Sequence, residues 1–278
     1  MKFTKMHGLG NDYIYFDCTR SNDITDPEKL SKELSHRNFG VGGDGIVLIL
    51  RSEIADFRMR MFNADGSEGK MCGNATRCIG KYVFERGLTD KHTITLETLA
   101  GIKTLKLFTN RETVESVEVD MGKAVLQAEE IPVISQEKTV IGQMVDLGGF
   151  SEKITCVSMG NPHCILFCNN VDELDLKKVG PKFENSKIFP DRVNTEFVEI
   201  IDDTTLKMRV WERGSGETMA CGTGACAVAV AAVLNGFCQR DTEITVKLLG
   251  GDLLIKYMTD ETVYMRGPAT FVFDGEII

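Results

Sequence analysis

The chain has 278 residues, of which 42% are hydrophobic and 26% are charged, and its net charge at pH 7 is −9. This length and composition are typical of a globular protein with one large domain or two ordinary ones. The acidic balance disfavours nucleic acid as a partner, because phosphate backbones repel negative charge. No stretch reaches the roughly 18 apolar residues of a membrane span, and the N-terminus lacks the apolar core of a signal peptide, so we expect a cytoplasmic protein.

The first half of the chain predicts two early strands, a central helix and a later strand. Apolar runs at 13–16 and 46–50 are typical of strands. A helix is predicted from Asn74 to Glu85, with Gly87 beyond its end as a natural stop. A strand at 93–99 follows, and then a hairpin near Thr109 and Asn110.

The second half predicts the same order of elements. Strands are expected at 164–167 and 196–201. A helix is expected from Gly224 to Leu234, before Asn235 and Gly236, and its alanines and valines on every side predict burial all round. A strand at 243–249 and a hairpin near Thr259 and Asp260 complete the order.

The two halves are repeats of one another. Residues 59–80 align without a gap with residues 208–229, and Cys72-Gly73 meets Cys221-Gly222. Upstream, Gly10-Asn11 meets Gly160-Asn161. A solenoid needs at least three units, so two long units predict two domains of one fold, related by a pseudo-twofold axis.

We therefore predict an α/β (α+β) fold with two pseudo-symmetric domains, each a mostly antiparallel sheet wrapped around a central buried helix. The N-terminal domain is expected at 1–121, with 266–278 returning to it, and the C-terminal domain at 122–265.

Nine cysteines are present, and most are expected to be small buried apolar residues. Cys72 and Cys78 are separated by five residues and Cys221 and Cys226 by four, and several others lie in strand-like runs. This spacing is poor for zinc, whose ligands come as close Cys pairs, so no metal site is expected.

Cys72 and Cys221 occupy equivalent positions just before the two central helices, and a glycine follows each. A helix N-terminus carries unpaired N–H groups and partial positive charge, which favours the thiolate and lowers the pKa of a nearby cysteine. Inversion of a stereocentre requires removal of a proton from one face and delivery to the other. One thiolate and one thiol on opposite sides of a planar carbanion meet this need.

The same helix starts offer donors for a substrate carboxylate. The backbone N–H groups of Gly73, Asn74, Gly222 and Thr223 are expected to hold its oxygens and to stabilise developing negative charge. Two buried structural cysteines at tight turns are the alternative interpretation.

At this point the sequence resembles the diaminopimelate epimerase family. The matching segments occur in the family's order: 6–12 (MHGLGND), 62–67 (FNADGS), 71–74 (MCGN), 160–163 (GNPH), 192–194 (RVN), 211–214 (WERG) and 220–224 (ACGTG). They cover essentially the whole chain.

The resemblance implies an enzyme that interconverts LL- and meso-2,6-diaminopimelate without pyridoxal phosphate (PLP) or metal, in lysine and peptidoglycan precursor synthesis. It implies that Cys72 and Cys221 are the acid and base, that His163 and Glu212 adjust the thiol pKa values, and that the enzyme is a homodimer. The positions matching substrate-binding residues are Asn11, Asn63, Asn161, Asn194, Glu212 and Arg213.

The chain departs from the family at two positions. Ala75 stands where many members have glycine, and Gly45 stands where some have a substrate-contacting glutamine. Position 45 is therefore not expected to provide a side-chain contact, and Asp44 is a candidate substitute.

Two rival functions stay open. A proline racemase-like or hydroxyproline epimerase-like enzyme typically has histidine after Met-Cys-Gly, where this chain has Asn74, and leaves Glu212 and Arg213 unexplained. A non-enzymatic thiol switch or ligand-binding protein is the rival of another class.

Overall fold

The computed structural model describes residues 1–278, and the chain divides into two compact units. Unit 1 comprises Met1–Asp120 and Arg266–Ile278, and unit 2 comprises Met121–Met265.

Unit 1 contains two helices, the first eight strands of the chain and the C-terminal strand. The strands are β1 (Lys2–Gly8), β2 (Asn11–Cys18), β3 (Gly45–Leu50), β4 (Phe57–Asn63), β5 (Glu68–Gly69), β6 (Thr93–Thr98), β7 (Gly101–Asn110), β8 (Thr113–Lys123) and β18 (Thr270–Glu276). The helices are α1 (Pro27–Ser35) and α2 (Gly73–Glu85).

The sheet of unit 1 has the order β18-β1-β2-β3-β4-β6-β7-β8, and the short β5 pairs with β4. The pairs β2–β3 and β4–β6 are parallel, and the others are antiparallel. Parallel neighbours need a crossover connection, and α1 and α2 lie in these two connections. The C-terminal strand β18 pairs antiparallel with β1.

Unit 2 contains the second set of elements. The strands are β9 (Gln143–Asp146), β10 (Ser151–Ser158), β11 (Pro162–Phe167), β12 (Asn194–Ile200), β13 (Thr205–Glu212), β14 (Gly216–Glu217), β15 (Glu243–Leu248), β16 (Gly251–Tyr257) and β17 (Thr262–Gly267). The helices are α3 (Leu176–Glu184), α4 (Gly222–Leu234) and a 3₁₀ turn at Val171–Glu173.

The sheet of unit 2 has the order β9-β10-β11-β12-β13-β15-β16. Its parallel pairs are β11–β12 and β13–β15, and α3 and α4 lie in the crossovers. The order β1-β2-β3-β4-β6-β7 of unit 1, with its two parallel pairs, therefore recurs in unit 2 as β10-β11-β12-β13-β15-β16. This agreement explains the sequence repeat.

The helix α4 is the centre of unit 2. It packs against β10, β11, β12, β13, β15 and β16. Its residues from Gly224 to Ala232 are buried, as the unbroken run of alanine and valine predicts. It ends at Asn235, and Gly236 follows with a φ of +79°, a backbone conformation that glycine adopts without a steric penalty.

The helix α2 is its counterpart in unit 1, buried from Gly73 to Val83 and followed by Gly87 with a φ of +69°. The predicted fold class, mostly sheet around a central helix in each half, is confirmed. The predicted strands and central helices are all present, with ends that shift by one or two residues; the strands predicted to end at 99, 201 and 249 each end one residue earlier. The helices α1 and α3 were not predicted.

None of the helices combines the length and the hydropathy that crossing a membrane requires.

Candidate active site

Cys72 is the N-cap residue of α2 and has an extended backbone, as the sequence predicts. Its carbonyl oxygen accepts the first bond of the helix from Thr76 N–H at 2.9 Å. The side chain makes no capping bond and is partly buried, so the thiol is directed elsewhere. Its Sγ donates to Asn11 Oδ1 at 3.4 Å.

Asn11 joins three of the predicted residues in unit 1. Its Oδ1 accepts from Asn74 Nδ2 at 3.2 Å as well as from the Cys72 thiol. Its Nδ2 donates to Asp44 Oδ2 at 2.7 Å. The structure therefore brings Cys72, Asn11 and Asn74 together, with Asp44 behind them.

Arg77 is a residue of this cluster that the sequence analysis missed. Its guanidinium is fully buried and donates to Asn74 Oδ1 at 2.9 Å, to Gly73 O at 3.3 Å and to Pro268 O at 3.2 Å. These bonds hold the first turn of α2 in place. A charged residue in an otherwise buried helix is the signal that could have revealed it.

Asp44, Gly45 and Asn63 surround the ends of β3 and β4. Burial, followed by the neighbouring Asp12 charge, raises the pKa of Asp44. A Cβ on Gly45 would lie 2.0 Å from the Phe62 carbonyl oxygen, so this backbone admits no side chain at position 45. The Asn63 amide donates to Ser67 Oγ at 3.0 Å, within its own turn.

Cys221 is the N-cap residue of α4 and is buried, whereas Cys72 is only partly buried. Its Sγ lies 3.6 Å from Thr223 Oγ1. Burial, followed by the charges of Glu212 and Glu196, raises the pKa of Cys221 well above its ordinary value. The Gly224 N–H at the helix start favours the thiolate, as expected, but burial and the two carboxylates outweigh this effect, so the net pKa is raised.

His163 and Glu196 form a buried pair beside Cys221. His163 lies on β11 and Glu196 on the neighbouring β12, and both are fully buried. The His163 Nδ1 lies 2.7 Å from Glu196 Oε1, and its Nε2 lies 3.1 Å from Asn161 Oδ1. The predicted His163 and Asn161 are therefore together. Glu196 was missed, because it falls within a strand-like run.

Glu212 lies at the end of β13, where its carboxylate accepts from the Thr218 hydroxyl. Burial raises the pKa of this carboxyl group, and the charge of Glu196 adds to the effect. Asn194 Oδ1 accepts from the Arg213 backbone N–H at 2.8 Å, and the Arg213 guanidinium donates to Asp191 O at 2.8 Å.

The two units differ in the charge around their cysteines. By strand register, Tyr13 and Val47 hold the positions of His163 and Glu196. The sequence repeat places Asn63 opposite Glu212. At these three positions, unit 1 therefore has no counterpart of the histidine and the two carboxylates that surround Cys221.

The same cluster contains atoms of the kind that bind metals. The ligand atoms of His163, Glu196 and Cys221 lie within 4.8 Å of one another. Residues from three separate segments meet here, so their spacing along the sequence could not have indicated it.

Comparison with solved structures places this fold among known ones. The chain superposes over its full length on 99% of a phenazine biosynthesis protein of the PhzF family from Bacillus anthracis, with a TM-score of 0.72 and 19% identity. It also superposes on 90% of a hydroxyproline epimerase from Agrobacterium vitis, with a TM-score of 0.69 and 12% identity. At this identity the likeness concerns the fold.

Comparison of sequences is more specific. The chain is 58% identical to the diaminopimelate epimerase of Methanococcus maripaludis, over all of this chain and 99% of that protein. The family model for diaminopimelate epimerase matches residues 3–127 and 155–272. The chain belongs to the diaminopimelate epimerase family.

The raised pKa of Glu212 predicts a dependence of stability on pH. Above the unfolded value of about 4.5, the folded state holds this proton more tightly than the unfolded state. The free energy of unfolding therefore falls as the pH rises from that value through the folded pKa. Glu212→Gln removes this cost and should therefore be more stable than the wild type at about pH 8.

Urea unfolding of the variant and the wild type at several pH values measures the effect. The difference should vanish by about pH 3, where the carboxyl group is neutral in both states. Glu217→Gln is the matched control, because Glu217 accepts from Arg209 Nε at 2.7 Å and its loss should not stabilise the fold. A wild type as stable as Glu212→Gln at about pH 8 would contradict a raised pKa of Glu212 in the folded state.

Proposed function

We propose that this protein interconverts LL- and meso-2,6-diaminopimelate, with Cys72 and Cys221 as the two acid/base groups. The observation that carries the proposal is that the two cysteines are the N-cap residues of the equivalent central helices of a duplicated fold. Membership of the diaminopimelate epimerase family supports the substrate.

The chemistry needs one thiolate and one thiol on opposite faces of the α-carbon. The thiolate takes the α-proton, so that a carbon–hydrogen bond breaks and a sulfur–hydrogen bond forms. The other thiol then gives its proton to the opposite face of the planar carbanion and becomes the thiolate. After the reaction, the former thiolate is a thiol and the former thiol is a thiolate. With these roles, the same steps in the opposite direction convert the product back to the substrate.

Negative charge develops on the α-carboxylate during this transfer. The backbone N–H groups of Gly73, Asn74, Gly222 and Thr223 lie in the first turns of α2 and α4 or directly at their starts. Donors at a helix N-terminus stabilise such an anion without reorganisation. We assign these four groups to the α-carboxylate.

The environment of Cys221 suits the resting thiol. Burial and two carboxylates oppose its ionisation. Glu212 has a raised pKa and lies close enough to Cys221 and His163 to interact with both. We therefore assign Glu212 and His163 to the control of the Cys221 proton.

The distal end of the substrate carries an ammonium and a carboxylate that do not react. Arg213 presents a planar guanidinium suited to a carboxylate, and its present partner is a backbone carbonyl oxygen, Asp191 O. Glu212 can accept from the ammonium group. We assign the amides of Asn11, Asn63, Asn161 and Asn194 to the remaining polar groups of the substrate.

We further propose that units 1 and 2 correspond to the predicted domains at 1–121 with 266–278 and at 122–265. We propose a cytoplasmic homodimer that binds neither nucleic acid nor membranes, consistent with the acidic charge. β18 exposes about half of the surface of Val272 and Phe273 in the single chain, and apolar surface of this kind is common at subunit contacts.

Replacement of either cysteine tests the mechanism. Cys72→Ala or Cys221→Ala should abolish epimerisation while the fold is retained, because each variant lacks one of the two proton-transfer groups. The measurement is incubation with LL-diaminopimelate in deuterated water, followed by chiral analysis and deuterium counting. The wild type should form meso product that carries deuterium at the inverted carbon.

Cys238→Ala is the control, because Cys238 is a buried cysteine beyond the end of α4 and should leave the rate unchanged. A single-cysteine variant that epimerises near the wild-type rate would overturn the two-thiol mechanism. Turnover of proline or hydroxyproline instead would identify a racemase of another substrate class. Reactive thiols without any α-proton exchange would indicate a thiol switch.

The reaction should need neither metal nor PLP. Metal binding to His163, Glu196 and Cys221 would require loss of the Cys221 proton, which burial and the carboxylates oppose, and loss of the His163–Glu196 bond. The sequence also lacks a glycine-rich phosphate loop with a paired lysine. Dialysis against a chelator and treatment with a carbonyl reagent should leave the rate unchanged. A rate that returns only after addition of a divalent cation or PLP would refute this expectation.

A further inference from the structure

The side chain of Glu196 is a buried carboxylate inside a sheet. β12 lies between β11 and β13, and the register partners of Glu196 on these strands are Ile165 and Val210. Glu196 itself is fully buried. An ionised carboxylate loses its hydration in such a position, and an apolar residue of similar size would stabilise the strand more.

The hydrogen bonds of this carboxylate are incomplete. Its Oε1 lies 2.7 Å from His163 Nδ1, but its Oε2 is inaccessible to solvent and has no hydrogen-bond partner. A group placed to stabilise the fold would have both oxygens satisfied. The single strong contact therefore indicates a role that depends on His163.

The carboxylate also lies against the beginning of α4. A Cβ on Gly224 would lie 2.6 Å from Glu196 Oε1, so glycine at this position makes room for the carboxylate. The ligand atoms of Glu196, His163 and Cys221 lie within 4.8 Å of one another.

The two nitrogens of His163 both face oxygen atoms, Glu196 Oε1 and Asn161 Oδ1. An ionised carboxylate accepts hydrogen bonds and cannot donate them, so a proton must reside on Nδ1 for this contact to form. A histidine without such an acceptor can carry its proton on either nitrogen and can turn about its side-chain bonds.

We propose that Glu196 is a positioning residue, whose carboxylate keeps His163 protonated on Nδ1 and in one orientation beside Cys221. This proposal rests on the proposed function, because the catalytic groups that it positions act in that reaction. Tyr13 and Val47 occupy the corresponding strand positions in unit 1, so the pair serves the Cys221 half of the duplicated fold.

Nitrogen NMR of the imidazole rings tests the proposal without any substrate. The chain has four histidines, and His163→Gln assigns the signal of His163. In the wild type at about pH 8, the Nδ1 of His163 should show the chemical shift of a protonated nitrogen. In Glu196→Gln the side-chain amide can donate as well as accept, so the population with a proton on Nδ1 should fall. A wild-type His163 with a bare Nδ1 would overturn the proposal, and this measurement does not depend on the Glu196 variant.

Steady-state kinetics provides the second measurement. Glu196→Gln should lower kcat about 10- to 100-fold, the usual effect of losing a carboxylate that orients a histidine, with KM changed less than about threefold. Glu199→Gln is the matched control on the same strand, since Glu199 Oε2 accepts from Val171 N–H at 3.2 Å at the far end of β12. It should keep the wild-type kcat and His163 spectrum.

The two proposals fail separately. A wild type without epimerase activity would remove the proposed function, while the wild-type NMR result would still decide the state of His163. An active wild type together with unchanged kcat and unchanged His163 signals in a folded Glu196→Gln would overturn the positioning role alone.

Discussion

The constraint on which the site depends is the placement of one cysteine at the N-cap of each buried crossover helix. A parallel strand pair requires a crossover connection. In unit 1 this connection contains α2, between β4 and β6, and in unit 2 it contains α4, between β13 and β15. Each helix packs against the sheet of its unit. The first turn of such a helix has N–H groups without intrahelical partners. The cysteine and these donors are therefore neighbours along the backbone, at a point that the packing of the helix holds in place.

The duplicated backbone carries two different electrostatic environments. Cys72 is hydrogen-bonded to the amide of Asn11, and the buried Arg77 donates to the start of α2. The ionisable neighbours of Cys72 are the buried Tyr15 and Cys78 rather than carboxylates and histidine. Around Cys221 they are the ionisable groups His163, Glu196 and Glu212. An epimerase whose product differs from its substrate in one stereocentre needs two proton-transfer groups of similar geometry, but they need not have the same resting state. Duplication followed by divergence of the surrounding residues provides both properties.

The fold and the two cysteines could be predicted because their signals are local or repeated. The alanine- and valine-rich run after Gly222 predicts a buried helix, and the repeat alignment pairs Cys72 with Cys221. Glu196 could not be predicted, because its role depends on the register of β12 with β11 and on the approach of Gly224. The net pKa shift of Cys221 could not be predicted for a related reason. The effect of a helix terminus can be inferred from sequence, whereas burial and the arrival of two distant carboxylates depend on tertiary structure.

The central claim is that Cys72 and Cys221 act on one carbon from opposite faces, and oxidation tests it most directly. If both thiols act on one carbon, they must be able to approach each other closely enough to form a disulfide bond. Treatment with a mild thiol oxidant should remove two electrons and two protons from the pair, inactivate the enzyme and yield a Cys72–Cys221 linked peptide, and dithiothreitol should restore activity. Inactive protein in which both cysteines are still thiols, or are linked to Cys78 or Cys226 instead, would contradict the account.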